Sequence, residues 1–347
     1  MRAAWRDRYG GPDVVEVRDL PRPTPTGEQV LVRVEASSVN RADLDGLGPR
    51  WAFTRLFYGL RRPRVNRLGI DVAGVVESVG EGASRYRVGD QVFGDLFAYG
   101  SGAFAESVCA SEKAFAPVPD DMSFEVAATL PHSGILAVQG LRLSNGRTAG
   151  QGRRVLVVGA SGNVGPFAVQ IARSRGAHVT GVASGDKLGF VRSLGADEVI
   201  DYETADPTRP SEAYDWIVDV DAHDALPRWR RALKPGGVYL AMGGSGAWLL
   251  SLLLWRPVLR LMTNKTLGLM LHWKPFAPSD MEELLELVRS GAVTPRIDRR
   301  FSLEDVADAL RWVDEGRARG KVLVLPTGTQ AAGTQAVEPR ATQPTSA

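Results

Sequence analysis

The segment Val155-Leu156-Val157-Val158-Gly159-Ala160-Ser161-Gly162-Asn163-Val164-Gly165 carries the clearest chemistry in the chain. An apolar strand runs into a turn of small residues, and an apolar helix opens directly behind it. Gly162 would let the backbone approach a pyrophosphate, and Gly165 would let the helix pack closely on the strand. The N–H groups opening the helix offer partial positive charge to the anion. Ala160 stands where the usual fingerprint has its first glycine, so the pattern is A-x-G-x-x-G. A glycine-rich turn alone also serves plain packing, but between a buried strand and a helix it points to a dinucleotide. Ala160, Ser161, Gly162, Asn163, Val164 and Gly165 are the expected cofactor loop.

The following strand selects the dinucleotide. NAD-selective sites place a carboxylate at its end, about 20 residues on, to accept from the ribose 2′-OH. Here the strand ends Val182-Ala183-Ser184, with Lys187 shortly after and Asp186 past the strand end. A carboxylate would repel a 2′-phosphate, whereas a hydroxyl and an ammonium would hold one. NADPH is therefore the expected cofactor, with NADH the lesser fit. A plainer reading has Ser184 capping the next helix and Lys187 solvated, and the two are compatible.

These residues need a scaffold, and the chain outlines one. Its first 120 residues read as short strands (Val30–Ala36, Val72–Gly80, Gln91–Gly94) punctuated by Gly and Pro, the mark of a compact all-β unit. Residues 51–67 read as a long loop or lid. From a capped helix start at Ser123 the pattern turns to alternation. Strands at Val155–Val158, His178–Val182, Glu198–Ile200, Trp216–Val220 and Val238–Met242 are interleaved with helices at Val164–Arg175 and Lys187–Leu194. Such alternation means βαβ units and a doubly wound parallel sheet. Helices over Met281–Ser290 and Leu303–Glu315 and a strand over Lys321–Leu325 follow. Residues 327–347 lack apolar anchors and are expected to be disordered.

Composition excludes several classes. At 347 residues with 44% hydrophobic and 24% charged, the chain can bury about two cores. A net charge of +2 offers no field to recruit nucleic acid. Arginine outnumbers lysine 36 to 6, so the Arg61–Arg64 cluster is discounted as a binding patch. The lone Cys109 rules out an internal disulfide. Met1 leads into charged residues with no apolar run, so no secretory signal is expected and the cytoplasm is the expected compartment. The longest apolar stretch, Ala247–Leu254, is too short to span a bilayer. Together with Val258, Leu259 and Leu261 it suits a dimer interface, a substrate cover or a membrane contact, burial in a dimer or pocket being favoured.

An ordered series of motifs resembles the medium-chain dehydrogenase/reductases, within them the zinc-free quinone oxidoreductase branch. The series runs Ser38-Val39-Asn40-Arg41-Ala42-Asp43, Gly69-Ile70-Asp71-Val72-Ala73-Gly74, Gly102-Ala103-Phe104-Ala105-Glu106, Leu194-Gly195-Ala196-Asp197, Leu233-Lys234-Pro235-Gly236-Gly237 and Arg319-Gly320-Lys321-Val322. The resemblance implies an α/β protein with a GroES-like β-barrel catalytic domain at 1–121, completed by 274–326. A Rossmann domain at 122–273 is inserted between them, the active site lies in the cleft, and a homodimer is usual.

The resemblance also assigns residues. Asn40 is expected beside the nicotinamide, where its amide can orient the carboxamide or a substrate carbonyl; a turn-capping Asn is the alternative. Asp43 takes the family's acid position, catalytic or loop-stabilising. Tyr202 is expected near the adenosine phosphate, and Arg319 and Lys321 beneath the nicotinamide. Leu136 replaces a Thr that commonly meets the cofactor. His132 is expected as a buried helix-cap residue or as a proton donor reaching the cleft; Tyr58 and Tyr99 are placed in cleft loops. Zinc-using relatives hold the metal with a Cys in the first turn and a Gly-His-Glu; here Val39-Asn40 and Gly69-Ile70-Asp71 stand there, and the four histidines (132, 178, 223, 272) are scattered. No zinc is expected. Without a Lewis acid, alcohol oxidation is disfavoured. The expected function is zinc-independent, NADPH-dependent hydride transfer to a quinone or an α,β-unsaturated carbonyl, the partner being a small hydrophobic carbonyl or quinone. An enoyl-thioester reductase and a non-catalytic NADPH-binding protein are the alternatives.

Overall fold

The structure is a computed structural model that describes residues 1–48, 59–223, 226–243, 248, 264–269 and 277–326. Residues 51–58 of the expected lid, nearly all of the apolar 247–262 segment, Tyr58, His272 and the 327–347 tail lie outside the described residues.

In chain order the first strands are β1 (Arg2–Trp5), β2 (Glu16–Asp19), β3 (Gln29–Val39), β4 (Asp71–Val79), β5 (Gln91–Asp95), β6 (Ser107–Ser111) and β7 (Phe115–Pro117), with helix α1 (Arg41–Leu47) after β3. Helices α2 (Phe124–Ala127) and α3 (Pro131–Gly140) lead into β8 (Arg154–Val158), α4 (Gly165–Ser174), β9 (His178–Ala183), α5 (Leu188–Ser193), β10 (Glu198–Asp201), β11 (Tyr214–Asp219), α6 (Leu226–Ala232), β12 (Leu233–Ala241) and β13 (Thr266–Leu269). Helix α7 (Pro278–Arg289), β14 (Ile297–Ser302), α8 (Val306–Asp314) and β15 (Lys321–Leu325) close the described chain.

Among the described residues, β8–β13 form a parallel sheet in the order β10-β9-β8-β11-β12-β13. Alternate side chains of one strand enter different cores. Val155 and Val157 pack in one apolar cluster and Leu156 in another, and Trp216 and Val218 are likewise opposed to Ile217. A strand buried on both faces reads as a continuous apolar run, which is why Val155–Val158 shows no alternation. Order reverses between β8 and β11, and a crevice outside the carboxyl ends of the strands opens there.

The second sheet runs β14-β15-β3-β4-β5-β7, with β6 also on β3. Strands from both ends of the chain thus share one sheet. Register shifts at Leu31/Val32 and Val34/Ala36 bend the long β3, which pairs with β4, β6 and β15 along its length. Val30, Val32 and Val34 point into one core with Val72, Val92 and Phe115. Another core joins the sheets, since Ala36, Ala73 and Phe93 pack in one cluster with Ile135, Phe167, Leu284 and Leu323. Helix α3 sits between them and packs closely on α7: a Cβ at Gly134 would stand 2.4 Å from Leu284 Cδ2, so that side chain would have to shift to admit one.

Several elements differ from the sequence reading. The expected 187–194 helix is a 3-10 turn at Gly185–Lys187 followed by α5, and β12 begins at Leu233 rather than Val238. Strands β1, β2, β6, β7, β13 and β14 and helices α1, α3 and α6 are additional. Short edge strands such as Phe115–Pro117 offer too few residues for a period to show. No helix among the described residues is long and apolar enough to cross a membrane.

Candidate active site

The crevice at the strand-order reversal is a cavity of about 780 Å³. One part of its wall is the loop between β8 and α4. Gly159 takes φ +77, a left-handed conformation open to glycine at little cost. Ser161, Gly162, Asn163 and Val164 face the cavity. A Cβ at Gly162 would meet nothing closer than Gly159 O at 3.6 Å, so the space a phosphate needs lies open beside it. At Gly165 a Cβ would stand 2.2 Å from Gly159 O, which makes this glycine the closure between helix and turn. The first-turn N–H groups of α4 have no intrahelical carbonyls and point toward the loop. The loop is docked at both ends. Asn163 Nδ2 donates to Val39 O at 2.9 Å, and Gly320 N donates to Ser161 O at 3.0 Å. These residues fit a dinucleotide pyrophosphate. Ala160 and Gly165 belong to the loop's interior rather than to the cavity wall, and the Asn163 side chain serves docking.

At one end of the cavity are Ser184, Lys187 and Tyr202. Ser184 Oγ donates to Asp186 Oδ1 at 2.7 Å and is the N-cap residue of the 3-10 turn, without a side-chain capping bond. Lys187 is not solvated as the plainer reading had it; it is 8% exposed and its Nζ donates to Gly316 O. Burial pulls its pKa below the ordinary lysine value, Asp186 working against that. Arg319 does not lie beneath the rest of the cavity: its guanidinium reaches Asp186 at 3.3 Å, on the Ser184 side.

At the other end, Asn40, His132 and Ser133 form a polar floor. Asn40 directly follows β3 and is the N-cap of α1. Its Oδ1 accepts from Lys321 Nζ at 2.7 Å and Ser133 Oγ at 2.9 Å, and its Nδ2 donates to Asp71 Oδ2 at 2.8 Å. Lys321 Nζ also lies 3.1 Å from Asp71 Oδ2 and 3.2 Å from Ser133 Oγ. Ser38 Oγ donates to Asp71 Oδ2 at 2.7 Å, and His132 N donates to Asp71 Oδ1 at 2.9 Å. Asn40 is thereby both the turn-capping residue and a cavity residue. Lys321, 1% exposed, holds Asn40 from behind and does not reach the wall.

Asp43 is not a cavity residue. The first turn of α1 points its carboxylate back to Asn40 N, whose N–H it accepts at 2.8 Å. Burial pushes its pKa up from 3.8 to about 7 against that bond, and Asp71 adds to the rise. Asp43 thus contacts Asn40 rather than the cavity, where the resemblance implied an acid. Leu136 lines the cavity as the sequence implied, while Tyr99 is not among its residues. His223 lines the cavity paired with Asp221 at 2.8 Å, and His178 pairs with Glu198 at 3.1 Å outside it.

Sequence reasoning missed Asp95, Ser133 and the role of Asp71. Asp71 was visible only as the residue in place of a metal-ligand Glu, and nothing local marks Asp95. Both gain meaning from β4 and β5 lying side by side. Among the described residues, no group of three or more His, Cys, Asp or Glu is arranged to hold a metal ion. The charge complementing Asp71 is the Lys321 ammonium.

This architecture, a barrel-like sheet completed by both chain ends beside a 3-2-1-4-5-6 parallel sheet, defines a two-domain dehydrogenase. Residues 26–120 match the alcohol dehydrogenase GroES-like domain, and residues 194–324 match the zinc-binding dehydrogenase family. The chain belongs to the medium-chain dehydrogenase/reductase superfamily, in its zinc-free quinone oxidoreductase-like branch, and it is an NAD(P)H oxidoreductase. It is 32% identical to the chloroplast envelope quinone oxidoreductase homolog of Arabidopsis thaliana, over 94% of this chain and 98% of that one. It is 30% identical to the mitochondrial NAD(P)H oxidoreductase RTN4IP1 of Danio rerio, over 92% and 90%. The quinone oxidoreductase structure from Coxiella burnetii superposes with a TM-score of 0.82 at 27% identity, covering 94% of this chain and 99% of that one.

Proposed function

We propose that the chain is a zinc-independent, NADPH-dependent reductase that transfers hydride to a quinone or an α,β-unsaturated carbonyl compound. One observation carries this reading. A single cavity runs from Ser184, Lys187 and Tyr202, past the glycine loop, to the Asn40–His132–Ser133 floor, as a dinucleotide with its reactive end over that floor requires. Ser184 and Lys187, just after β9, suit a 2′-phosphate; the strand itself ends without a carboxylate, and the Asp186 carboxylate beside Ser184 is balanced by the Arg319 guanidinium. Bound NADPH would supply the hydride. The chain's own residues position and desolvate: the loop at Ser161–Val164 would hold the pyrophosphate, and Asn40, fixed by Lys321 and Asp71, would orient an amide or carbonyl. Leu136, Val220 and Met242 exclude water. A Lys321 ammonium already neutralising Asp71 favours chemistry without a metal at the floor. The quinone oxidoreductase names of the relatives support a quinone acceptor, and the apolar cavity wall suits a small hydrophobic one.

The test is NADPH oxidation followed at 340 nm with 9,10-phenanthrenequinone and with a simple enone, before and after dialysis against a chelator. Turnover that prefers NADPH and survives chelation is expected. Equal use of NADH would remove the 2′-phosphate assignment, and activity lost to chelator and restored by Zn²⁺ would remove the rest.

A further inference from the structure

We propose that His132, backed by Asp95, is the acid that protonates the substrate as hydride arrives. The proposal rests on the reductase reading above and adds the residue that supplies the second hydrogen.

Hydride addition to a conjugated carbonyl leaves an oxyanion, and a positioned proton donor lowers that barrier. His132 sits in the first turn of α3 and lines the cavity beside Asn40 and Ser133. Its Nδ1 lies 3.0 Å from Asp95 Oδ2. Asp95 is fully buried, and its other oxygen accepts Phe97 N–H at 2.8 Å, so the carboxylate is fixed in place. A carboxylate accepts, so Nδ1 carries the hydrogen of that contact, and Nε2 is the ring atom that can hold the mobile proton. The Phe97 ring stands 5.6 Å from the imidazole, tilted by 40° to it.

Among the described residues, four charged or titratable groups face the ring from the packed elements: Asp95 on β5, Asp71 on β4, Lys321 on β15 and Asp43 on α1. Burial and Lys321 oppose a charged imidazole, as does the helix start; Asp95 and Asp71 outweigh them and hold its pKa above the ordinary 6.5. Other donors on the floor fit less well. Lys321 does not reach the wall, and Ser133 would have to leave an alkoxide.

The β-carbon of an enone receives hydride from the dihydronicotinamide, a C–H bond forms, and the C=C π pair moves to make an enolate. The imidazolium Nε2–H bond then breaks, its electron pair staying on the ring, and the proton goes to the enolate. A proton taken up from bulk solvent then restores the imidazolium, so one H⁺ is consumed per turnover. The substrate gains two electrons and two hydrogens, and the nicotinamide loses a hydride.

Two variants, His132→Gln and Asp95→Asn, test this in the full chain, with thermal melting as the check on folding. For enone reduction, His132→Gln should lower kcat about 10²- to 10⁴-fold, keep the Kd for NADPH within twofold, and abolish the fall of kcat with rising pH. Asp95→Asn should move that fall to lower pH by a unit or more. NMR of labelled histidine gives a readout apart from turnover: the His132 ring should titrate above 6.5, drop in Asp95→Asn, and shift when phenol, an enol mimic, binds. A His132→Gln enzyme that keeps its kcat and its alkaline fall overturns the proposal and leaves the reductase reading intact. If the wild-type protein reduces neither acceptor, the reductase reading fails, and a His132 ring indifferent to phenol overturns the proton donor as well.

Discussion

The two ends of the cavity are built from different material. The dinucleotide end is largely backbone: Gly159, Gly162 and Gly165 shape a turn, and the start of α4 supplies N–H groups. Its polarity comes from main-chain dipoles that any residue carries, so the sequence there is constrained mainly to be small. The floor is largely side chains. Asn40, Asp71, Asp95, His132, Ser133 and Lys321 arrive from the β3–α1 junction, β4, β5, α3 and β15 and satisfy one another almost without solvent. A backbone site tolerates exchange of its neighbours but not added volume. A side-chain cluster tolerates volume changes around it but not the loss of one charge, because each member is another's hydrogen-bond partner.

Removing a charge from the floor is therefore expected to have the largest effect. Lys321→Met leaves the Asp71 carboxylate buried without its cation, and should cost about 3–5 kcal/mol, read as a lower urea midpoint. Adding Asp71→Asn should recover part of the loss, since the two are coupled. A single-variant loss under about 1 kcal/mol would show that the floor behaves as a solvated surface pair.

The floor should also give the protein a pH signature. With its pKa at about 7 against an ordinary 3.8, Asp43 keeps in the folded protein a proton that the unfolded chain releases. Its favourable contribution is complete below pH 4 and is lost as pH rises to 7, at up to roughly 1.4 kcal/mol per pH unit. Asp43→Asn mimics the protonated carboxyl and still accepts from Asn40 N. It should flatten stability between pH 4 and 7, and gain on the parent protein at pH 8, in urea unfolding across that range. Parallel curves for the two proteins would mean that Asp43 is charged in the fold.

The same contrast explains what could be read before the fold was known. The loop from Val155 to Gly165 is contiguous, so its strand, turn and helix announce themselves in order. The six residues of the floor span positions 40 to 321, and no local pattern joins them. Asn40, Asp43 and Lys321 were reachable because motifs of a resembling family mark them, but their roles were not. Asp43 turns back on Asn40 because it is the third residue of α1, and that helix, seven residues with Gly46 inside, is too short for a period to show. Arg319 and Lys321 lie two apart on the chain yet serve opposite ends of the cavity, because the segment crosses beneath Ser161 at Gly320.

On the backbone side, two glycines of one turn do different jobs. A side chain at Gly165 would collide with the fixed backbone of Gly159 and Ala160, at 2.2 and 2.6 Å. Gly165→Val should destabilise by about 3 kcal/mol, the upper part of the range for overpacking. At Gly162 the space is open, so Gly162→Val should change stability by less than about 0.5 kcal/mol. It should weaken NADPH binding about tenfold or more by calorimetry, because the added methyls occupy the phosphate's place. Unchanged binding in Gly162→Val would mean that the cofactor does not cross this turn.

The smallest effect is expected where the backbone end borrows a side chain. Lys187 is tethered to Gly316 O, so its ammonium is held at the cavity wall with little rotamer freedom left to lose on binding a phosphate. A hydrogen bond to a charged group is worth about 1.5–3 kcal/mol, and part of that is already spent on the Gly316 carbonyl. Lys187→Ala should thus raise the Kd for NADPH by roughly tenfold and leave that for NADH nearly unchanged, as judged by fluorescence titration of both. Equal losses for the two cofactors would instead make Lys187 a prop for the turn at Gly316. Selection of the 2′-phosphate would then fall to Ser184, whose hydroxyl Asp186 already holds at the end of β9.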